Sequence, residues 1–296
     1  MVAIDLGSNT IRMVEYDCTS KTTLNSYEKI VKTADKLVET NEISDEAVER
    51  IVEAIKEAKE KIDFKNVIAY TTEAIRQAKN QKEVLDNIKS QTGVEFQVAS
   101  TEDEAYFTTV AVEQFTKENY NYKTMFLIDI GGGSTELIVK NKKELLSESF
   151  PLGIVTISQK YNSIETLEFG IRQDMKNLKE FIQYMEMSYS PDIFVASSGT
   201  PTTIASLKLG MDYLSYDPAK INGIELTIDD LDEWLNKLLT MELRHREKLV
   251  GVGRGDLITS GIMIFKEIFR LSGFEKCIVI DNGVREGIAL DYCKNK

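Results

Sequence analysis

The segment LIDIGGGST, residues 127–135, is nearly repeated at the start of the chain as VAIDLGSNT, residues 2–10. In each copy an apolar, β-branched run that is typical of a buried strand delivers one aspartate, Asp129 or Asp5. The chain then turns through glycine and small hydroxyl residues into another apolar run. Two such strand–turn–strand segments in the two halves of one chain indicate a duplicated structural unit.

Both turns have the composition of phosphate-binding loops. Glycine permits φ > 0 and has no Cβ to block approach, so backbone N–H groups can point at an anion. We expect the loops to face each other across a cleft that receives a phosphorylated ligand. The first loop comprises Gly7, Ser8, Asn9 and Thr10, the second Gly131, Gly132, Gly133, Ser134 and Thr135, and a third candidate Ser198, Gly199 and Thr200.

Ordinary turn chemistry is the alternative interpretation of these loops. Three successive glycines cost about 1 kcal/mol each in a regular element, so residues 131–133 indicate a backbone requirement. The third loop leaves both interpretations open, because Pro201 removes a backbone donor there.

Composition and charge limit the classes of protein to consider. The chain has 296 residues, of which 42% are hydrophobic and 28% charged, enough for two globular domains with their own cores. The net charge of −12 argues against nucleic acid polymers and anionic membranes as partners. Without a leader or a long apolar run, the chain is expected to be cytoplasmic, and a polyanionic ligand would need a locally positive site.

The few cysteines and the single histidine argue against a zinc site and against histidine-based catalysis. Cys18, Cys277 and Cys293 form no CxxC pair, which predicts reduced thiols and no zinc site. His245 is the only histidine and lies between two arginines, so we expect a solvated side chain. Trp234 has helical spacing with leucines and is expected in a helix core.

Strands alternate with helices along the chain, which predicts an α/β fold. Ser44 is a candidate N-cap for a helix with apolar residues at helical spacing up to Ile62. The polar, aperiodic segment 117–123 is the best domain boundary. It divides the chain into domains 1–120 and 121–283, followed by a final helix.

A strand–hairpin with Asp-x-Gly in each half resembles the actin and sugar-kinase superfamily. Within it, the chain resembles the exopolyphosphatase and guanosine-pentaphosphatase (Ppx/GppA) family, in its short two-domain form. The motifs that carry this resemblance are AIDLGSNTIRMV, YTTEAIRQA, TEDEA, IDIGGGSTEL, ASSGT and DNGVREG. It implies two ribonuclease-H-like, actin-like ATPase domains with a cleft between them and a C-terminal helix, 284–296, that packs on the first domain.

The resemblance places the general base at Glu104. A carboxylate is needed within hydrogen-bond reach of a water in line with the terminal phosphorus. The alternative is a capping box, Thr101-x-x-Glu104, in which Glu104 only accepts from the Thr101 N–H. Thr101 itself departs from the family, which usually has glycine there.

Three further acids are candidate catalytic or metal-binding residues. Asp129 and Glu136 are predicted to bind Mg²⁺ or position water, because hard divalent cations favour carboxylate and phosphate oxygens. Asp5 is a third candidate metal ligand. For Glu136, an outward-facing strand residue is the alternative interpretation.

Arginines are the expected cationic partners of a phosphate chain, because their planar fork binds phosphate in two places at once. Arg12 follows the first loop, Arg76 lies where the family has a phosphate-contacting arginine, and Arg254 corresponds to the family's Arg-Ala-Asp. Each could instead be a surface arginine. Arg285 is predicted to be structural or associated with a hinge.

These features predict a Mg²⁺-dependent phosphohydrolase that removes the terminal phosphate from polyphosphate or guanosine pentaphosphate. An ATP-dependent kinase or ATPase of the same superfamily is one rival hypothesis. A non-catalytic sensor of guanosine tetraphosphate or pentaphosphate is another, and retention of the four acids argues against it. The sequence leaves substrate preference and homodimer formation open.

Overall fold

The chain forms two α/β units in the computed structural model, which describes residues 1–161 and 163–296. Unit 1 comprises Met1–Ala111 and Gly283–Lys296, and unit 2 comprises Val112–Asn282. The division lies inside a helix that runs Thr101–Asn119, not at the predicted boundary after residue 120. Helical hydrogen bonds continue into the polar segment from which that boundary was inferred.

Unit 1 is built on a mixed five-stranded sheet. Its strands are β1 (Val2–Leu6), β2 (Thr10–Asp17), β3 (Thr22–Ile30), β4 (Val67–Thr71) and β5 (Phe96–Val98), in the order β3-β2-β1-β4-β5. The first three strands form an antiparallel meander, and β4 and β5 are parallel to β1. All five residues of β1 are buried, as expected for a central strand covered on both faces.

Helices pack against this sheet. They are α1 (Leu37–Thr40), α2 (Asp45–Lys59), α3 (Glu73–Gln77), α4 (Gln81–Thr92) and α5 (Thr101–Asn119). Helix α2 has the predicted cap, because the Ser44 side chain accepts from the Ala47 N–H at 3.2 Å. Its apolar stripe, which includes Val48, Ile51 and Ile55, is buried.

Unit 2 repeats this plan. Its strands are β6 (Thr124–Ile130), β7 (Thr135–Asn141), β8 (Leu145–Phe150), β9 (Ile193–Ser197), β10 (Ile224–Leu226) and β11 (Cys277–Val279), in the order β10-β11-β9-β6-β7-β8. The strands β8-β7-β6-β9-β11 match β3-β2-β1-β4-β5 in order and direction. The predicted α/β class is therefore confirmed, and the topology repeats as the sequence does.

The helices of unit 2 surround its sheet. They are α6 (Ile154–Lys160), α7 (Ile164–Asp174), α8 (Lys176–Tyr189), α9 (Gly199–Lys208), α10 (Ile228–Thr240), α11 (Leu243–Val250) and α12 (Leu257–Ser272). Most of α12 is buried, and Phe265 and Phe269 pack edge-on against Phe194 of β9. Trp234 packs against the same core, whereas His245 is exposed, as the sequence indicated.

The last helix, α13 (Val284–Lys294), belongs to unit 1. Its residues Val284, Ile288 and Ala289 share an apolar cluster with Ala3 of β1 and other residues of the first sheet. Gly287 permits close packing on α5, because a Cβ there would lie 1.9 Å from the Phe107 carbonyl oxygen. Within residues 1–161 and 163–296, no helix combines the length and apolar surface that a membrane-spanning segment requires.

A disulfide joins Cys18, just after β2, to Cys293 of α13. The prediction of reduced thiols was therefore wrong for these two residues, because packing of α13 against β1 and β2 brings together cysteines 275 positions apart. Cys277 is a free, buried thiol, and burial raises its pKa.

Thiol counting tests the disulfide. Protein purified without reductant and then unfolded should take up alkylating reagent only at Cys277, and at all three cysteines after reduction, as read by mass spectrometry. The Cys293→Ser variant should lose about 2–4 kcal/mol of unfolding free energy under oxidising conditions, since the unfolded chain is no longer cross-linked. Three alkylated cysteines before reduction would contradict the assignment.

Candidate phosphate site

The second glycine loop is held in place through its carbonyl groups. The N–H groups of Ile154 and Val155, at the start of α6, donate to the Gly131 and Gly132 oxygens at 3.0 and 2.8 Å. Among the described residues, no backbone carbonyl accepts from the N–H groups of Gly132 and Gly133. Because the carbonyls are satisfied from one side, the loop can offer these amides to an anion.

A left-handed backbone does not explain the three glycines of the second loop. The described residues with positive φ do not include Gly131, Gly132 or Gly133, so the φ > 0 argument made from the sequence was wrong here. A Cβ on Gly153 would lie 2.3 Å from the Gly132 oxygen. Gly153 is thus a loop-supporting residue that motif reasoning missed.

The first loop is held in the same way. The segment after β3 donates from the Val31 and Lys32 N–H groups to the Asn9 oxygen, both at 2.9 Å, and from Ala34 to Ser8 at 2.8 Å. In the described part of the chain, no backbone carbonyl accepts from the Ser8 and Asn9 N–H groups. The two predicted phosphate loops therefore share one construction, although their sequences differ.

Strand register in unit 2 places two carboxylates side by side. Asp129 of β6 is the direct partner of Glu136 of β7, which in turn pairs with Ser149 of β8. Glu136 is buried, and its Oε1 accepts from Ser134 Oγ at 2.7 Å and from Ser149 Oγ at 2.8 Å. The interpretation of Glu136 as an outward-facing strand residue is therefore wrong.

This carboxylate pair is suited to a hard cation. Side chains of directly paired residues lie about 5 Å apart, and like charges there destabilise a sheet unless they are compensated. The described residues contain no group of three or more histidine, cysteine or acidic side chains that could hold a metal. Mg²⁺ commonly binds through one or two carboxylates together with phosphate and water oxygens, so Asp129 and Glu136 fit that role.

The register partners at the equivalent position of unit 1, across β1, β2 and β3, carry different charges. Asp5 of β1 pairs with Arg12 of β2, and Arg12 pairs with Glu28 of β3, where its Nε donates to Oε2 at 3.1 Å. Burial and the nearby Arg285 both lower the pKa of Arg12. The negative charges of Glu28 and Asp5 have the larger effect, so the Arg12 pKa is raised. Asp5, unlike Asp129, thus has a cationic neighbour built into the sheet.

Glu104 and Arg76 contact each other directly. Arg76 Nη1 donates to Glu104 Oε1 and, at 2.7 Å, to the Ala99 carbonyl, while Nη2 pairs with Glu73. Burial opposes the charged form of Arg76, but Glu104 and then Glu73 outweigh it and raise its pKa. Glu104 itself is buried at the start of α5.

The capping role predicted as the alternative for Glu104 belongs to its neighbours. Asp103 Oδ2 accepts from the Ser100 N–H at 2.9 Å, and Ser100 Oγ accepts from the Asp103 N–H at 3.1 Å. The capping box is therefore one residue earlier than Thr101-x-x-Glu104. The Glu104 carboxylate is held by Arg76 instead of the helix terminus.

The third loop supports the second through Ser198. This residue has φ 76° and ψ −175°, a conformation that favours glycine. Its hydroxyl accepts from the Ile130 N–H at 2.9 Å and donates to the Ile130 oxygen at 2.8 Å, which fastens the start of α9 to the end of β6. The Ser198 hydroxyl is therefore engaged within the protein.

Thr200 and Arg254 lie along the start of α12. The Thr200 hydroxyl is buried against Gly261, where a Cβ would lie 2.2 Å from it, so any phosphate contact of this loop would be through its backbone. Arg254 is half-buried, and its carbonyl accepts from the first N–H groups of α12. It therefore lies seven residues, about two helical turns, before the Gly261 contact.

The fold and these loops define a class: a duplicated α/β protein in which each strand turn has backbone amides next to a strand-end aspartate. The family model for the Ppx/GppA phosphatase family matches residues 14–296. The chain therefore belongs to the Ppx/GppA phosphatase family.

Relatives and solved structures agree with this assignment. The chain is 28% identical to a bifunctional 3-dehydroquinate synthase/phosphatase of Fusobacterium nucleatum, over 99% of its own length and 46% of the relative's. It is 25% identical to exopolyphosphatase 1 of Mycobacterium tuberculosis, over 97% of its length and 86% of the relative's. An Aquifex aeolicus Ppx/GppA family structure is 27% identical, with a TM-score of 0.75 and 99% and 97% coverage.

A guanosine-5′-triphosphate,3′-diphosphate pyrophosphatase of Vibrio parahaemolyticus is 27% identical over 98% of this chain. The chain spans 58% of that relative and about half of the Fusobacterium protein. The relatives therefore support a phosphatase family, and their different names leave the substrate of this chain to be determined.

Two substitutions of Ser198 should separate backbone strain from hydrogen bonding. Ser198→Ala keeps the strained φ and loses both bonds to Ile130, so it should lower the unfolding free energy by about 2–3 kcal/mol. Ser198→Gly loses the same bonds but relieves the strain, so its loss should be clearly smaller. Denaturant unfolding measures both, and equal losses would contradict the strained-loop description.

Proposed function

We propose that this protein is a Mg²⁺-dependent phosphohydrolase that releases the terminal phosphate from inorganic polyphosphate, from guanosine pentaphosphate, or from both. The observation that carries the proposal is the placement of Glu104, a buried carboxylate held by Arg76 and not used as a helix cap. Family membership supports the reaction class. The names of two relatives, an exopolyphosphatase and a guanosine pentaphosphate phosphatase, support the substrate class.

The roles of the residues follow from their chemistry. Glu104 would accept a proton from the attacking water, and Arg76 would keep that carboxylate ionised and oriented. Amides of the Gly131–Gly133 loop would bind non-bridging oxygens. Asp129 and Glu136 would hold Mg²⁺, which when bound neutralises charge on the phosphate chain. With water as the nucleophile, no covalent intermediate on the protein is needed.

The arginines would contribute binding. Arg12 and Arg254 are candidates for contacts along the phosphate chain, where a planar guanidinium binds two oxygens at once. Arg12 is already paired with Glu28, so such a contact would compete with or add to that ion pair. These arginines supply local positive charge on a chain whose net charge is −12.

Phosphate release tests the proposal. Wild-type protein is assayed with polyphosphate, guanosine pentaphosphate and ATP, with Mg²⁺ and with excess chelator. Glu104→Gln keeps an acceptor for Arg76 but removes the base, so it should reduce kcat by about 10²- to 10⁴-fold. Glu102→Gln, an exposed residue of the same helical turn, is the matched control and should leave kcat nearly unchanged.

The outcomes separate the rival functions. Wild-type rates in the Glu104→Gln variant would exclude Glu104 as the base. Turnover of ATP alone would favour the kinase-like alternative, and tight binding of guanosine pentaphosphate without turnover would favour a sensor. Activity that persists in chelator would contradict the Mg²⁺ dependence.

A further inference from the structure

Ser149 lies outside every motif that relates this chain to its family, yet it touches the carboxylate pair of unit 2. It belongs to β8, two strands away from Asp129, and is the direct partner of Glu136. Its Oγ lies 2.8 Å from Glu136 Oε1. An ionised carboxylate only accepts hydrogen bonds, so the serine hydroxyl must be the donor.

Ser149 and Ser134 donate hydrogen bonds to the same oxygen, Glu136 Oε1. Ser134 reaches Glu136 Oε1 at 2.7 Å from the glycine loop, and Ser149 reaches it from the opposite neighbouring strand. Two donors on one oxygen fix the rotation of the carboxylate about its last torsion, which is otherwise broad. Both hydrogen bonds end on Oε1. Because they fix the plane of the carboxylate, they also set the direction of the second oxygen, Oε2.

We propose that Ser149 is a positioning residue: through its hydrogen bond to Oε1 it orients Glu136 Oε2 for the divalent cation. The inference rests on the proposed function, in which Asp129 and Glu136 hold Mg²⁺. Residues that orient a metal ligand in this way typically change metal affinity or activity by about 10–100-fold when they are removed. Ser149 thus extends the site to a third strand of the sheet.

Strand β8 itself provides a matched control. Ser147 lies two residues before Ser149, on the same face of the strand, and is the register partner of Ile138 instead of Glu136. A serine-to-alanine change at residue 147 removes the same atom from the same strand face. It should not alter the Glu136 carboxylate.

Direct Mn²⁺ binding tests the proposal, with Mn²⁺ as a spectroscopically visible hard cation in place of Mg²⁺. Free Mn²⁺ is followed by electron paramagnetic resonance during titration of wild type, Ser149→Ala, Ser149→Thr and Ser147→Ala. We expect about tenfold weaker binding for Ser149→Ala, with wild-type affinity for Ser147→Ala. Ser149→Thr keeps the hydroxyl and should retain most of the affinity.

A second readout follows the reaction. With saturating phosphate substrate, Ser149→Ala should require about tenfold more Mg²⁺ for half-maximal rate, while its KM for substrate at saturating Mg²⁺ changes little. Equal Mn²⁺ affinity in wild type and Ser149→Ala would overturn the proposal. It would also be overturned if Ser147→Ala, or Ser149→Thr, weakened Mn²⁺ binding as much as Ser149→Ala. If wild type hydrolyses none of the substrates, the proposed function fails, and the Mn²⁺ titration still decides the role of Ser149.

Discussion

The pairing of Asp129 with Glu136 across β6 and β7 is the constraint on which the site in unit 2 depends. The Gly131–Ser134 turn determines this register, and a slip of one residue would move Glu136 to the other face of the sheet. This turn also depends on Gly153, because a side chain at residue 153 would collide with the backbone of the turn. One hairpin thereby positions both the amides and the acids that a phosphate site needs.

The two units share a backbone plan and differ in charge. At equivalent positions, β1 and β2 pair Asp5 with Arg12, whereas β6 and β7 pair Asp129 with Glu136. An acid beside an arginine is already compensated within the sheet, but two adjacent acids gain from a bound cation. In the proposed function, this difference favours a cation in unit 2 and a candidate base in unit 1.

Local sequence patterns predicted much of this arrangement. The alternation of strands with helices predicted the α/β class, and the repeated strand–turn segments predicted the duplication. The acids at strand ends were recognised because a charge at the end of a buried strand needs a reason. Residues defined by packing were missed: Gly153 is needed for an approach from a distant segment, and Ser149 acts across a strand pair. The capping box was placed one residue late, because Ser100-x-x-Asp103 and Thr101-x-x-Glu104 are equivalent patterns until the helix start is known. The Cys18–Cys293 bond depends on tertiary packing alone.

The most direct measurement of the central claim compares Mn²⁺ binding by two matched variants, Asp129→Asn and Asp5→Asn. Both remove one charge from equivalent strand ends, so any difference reports the neighbouring side chain, Glu136 or Arg12. The account predicts that Asp129→Asn weakens Mn²⁺ binding by about tenfold or more, while Asp5→Asn stays within about twofold of wild type. Equal losses in the two variants, or a larger loss in Asp5→Asn, would contradict it.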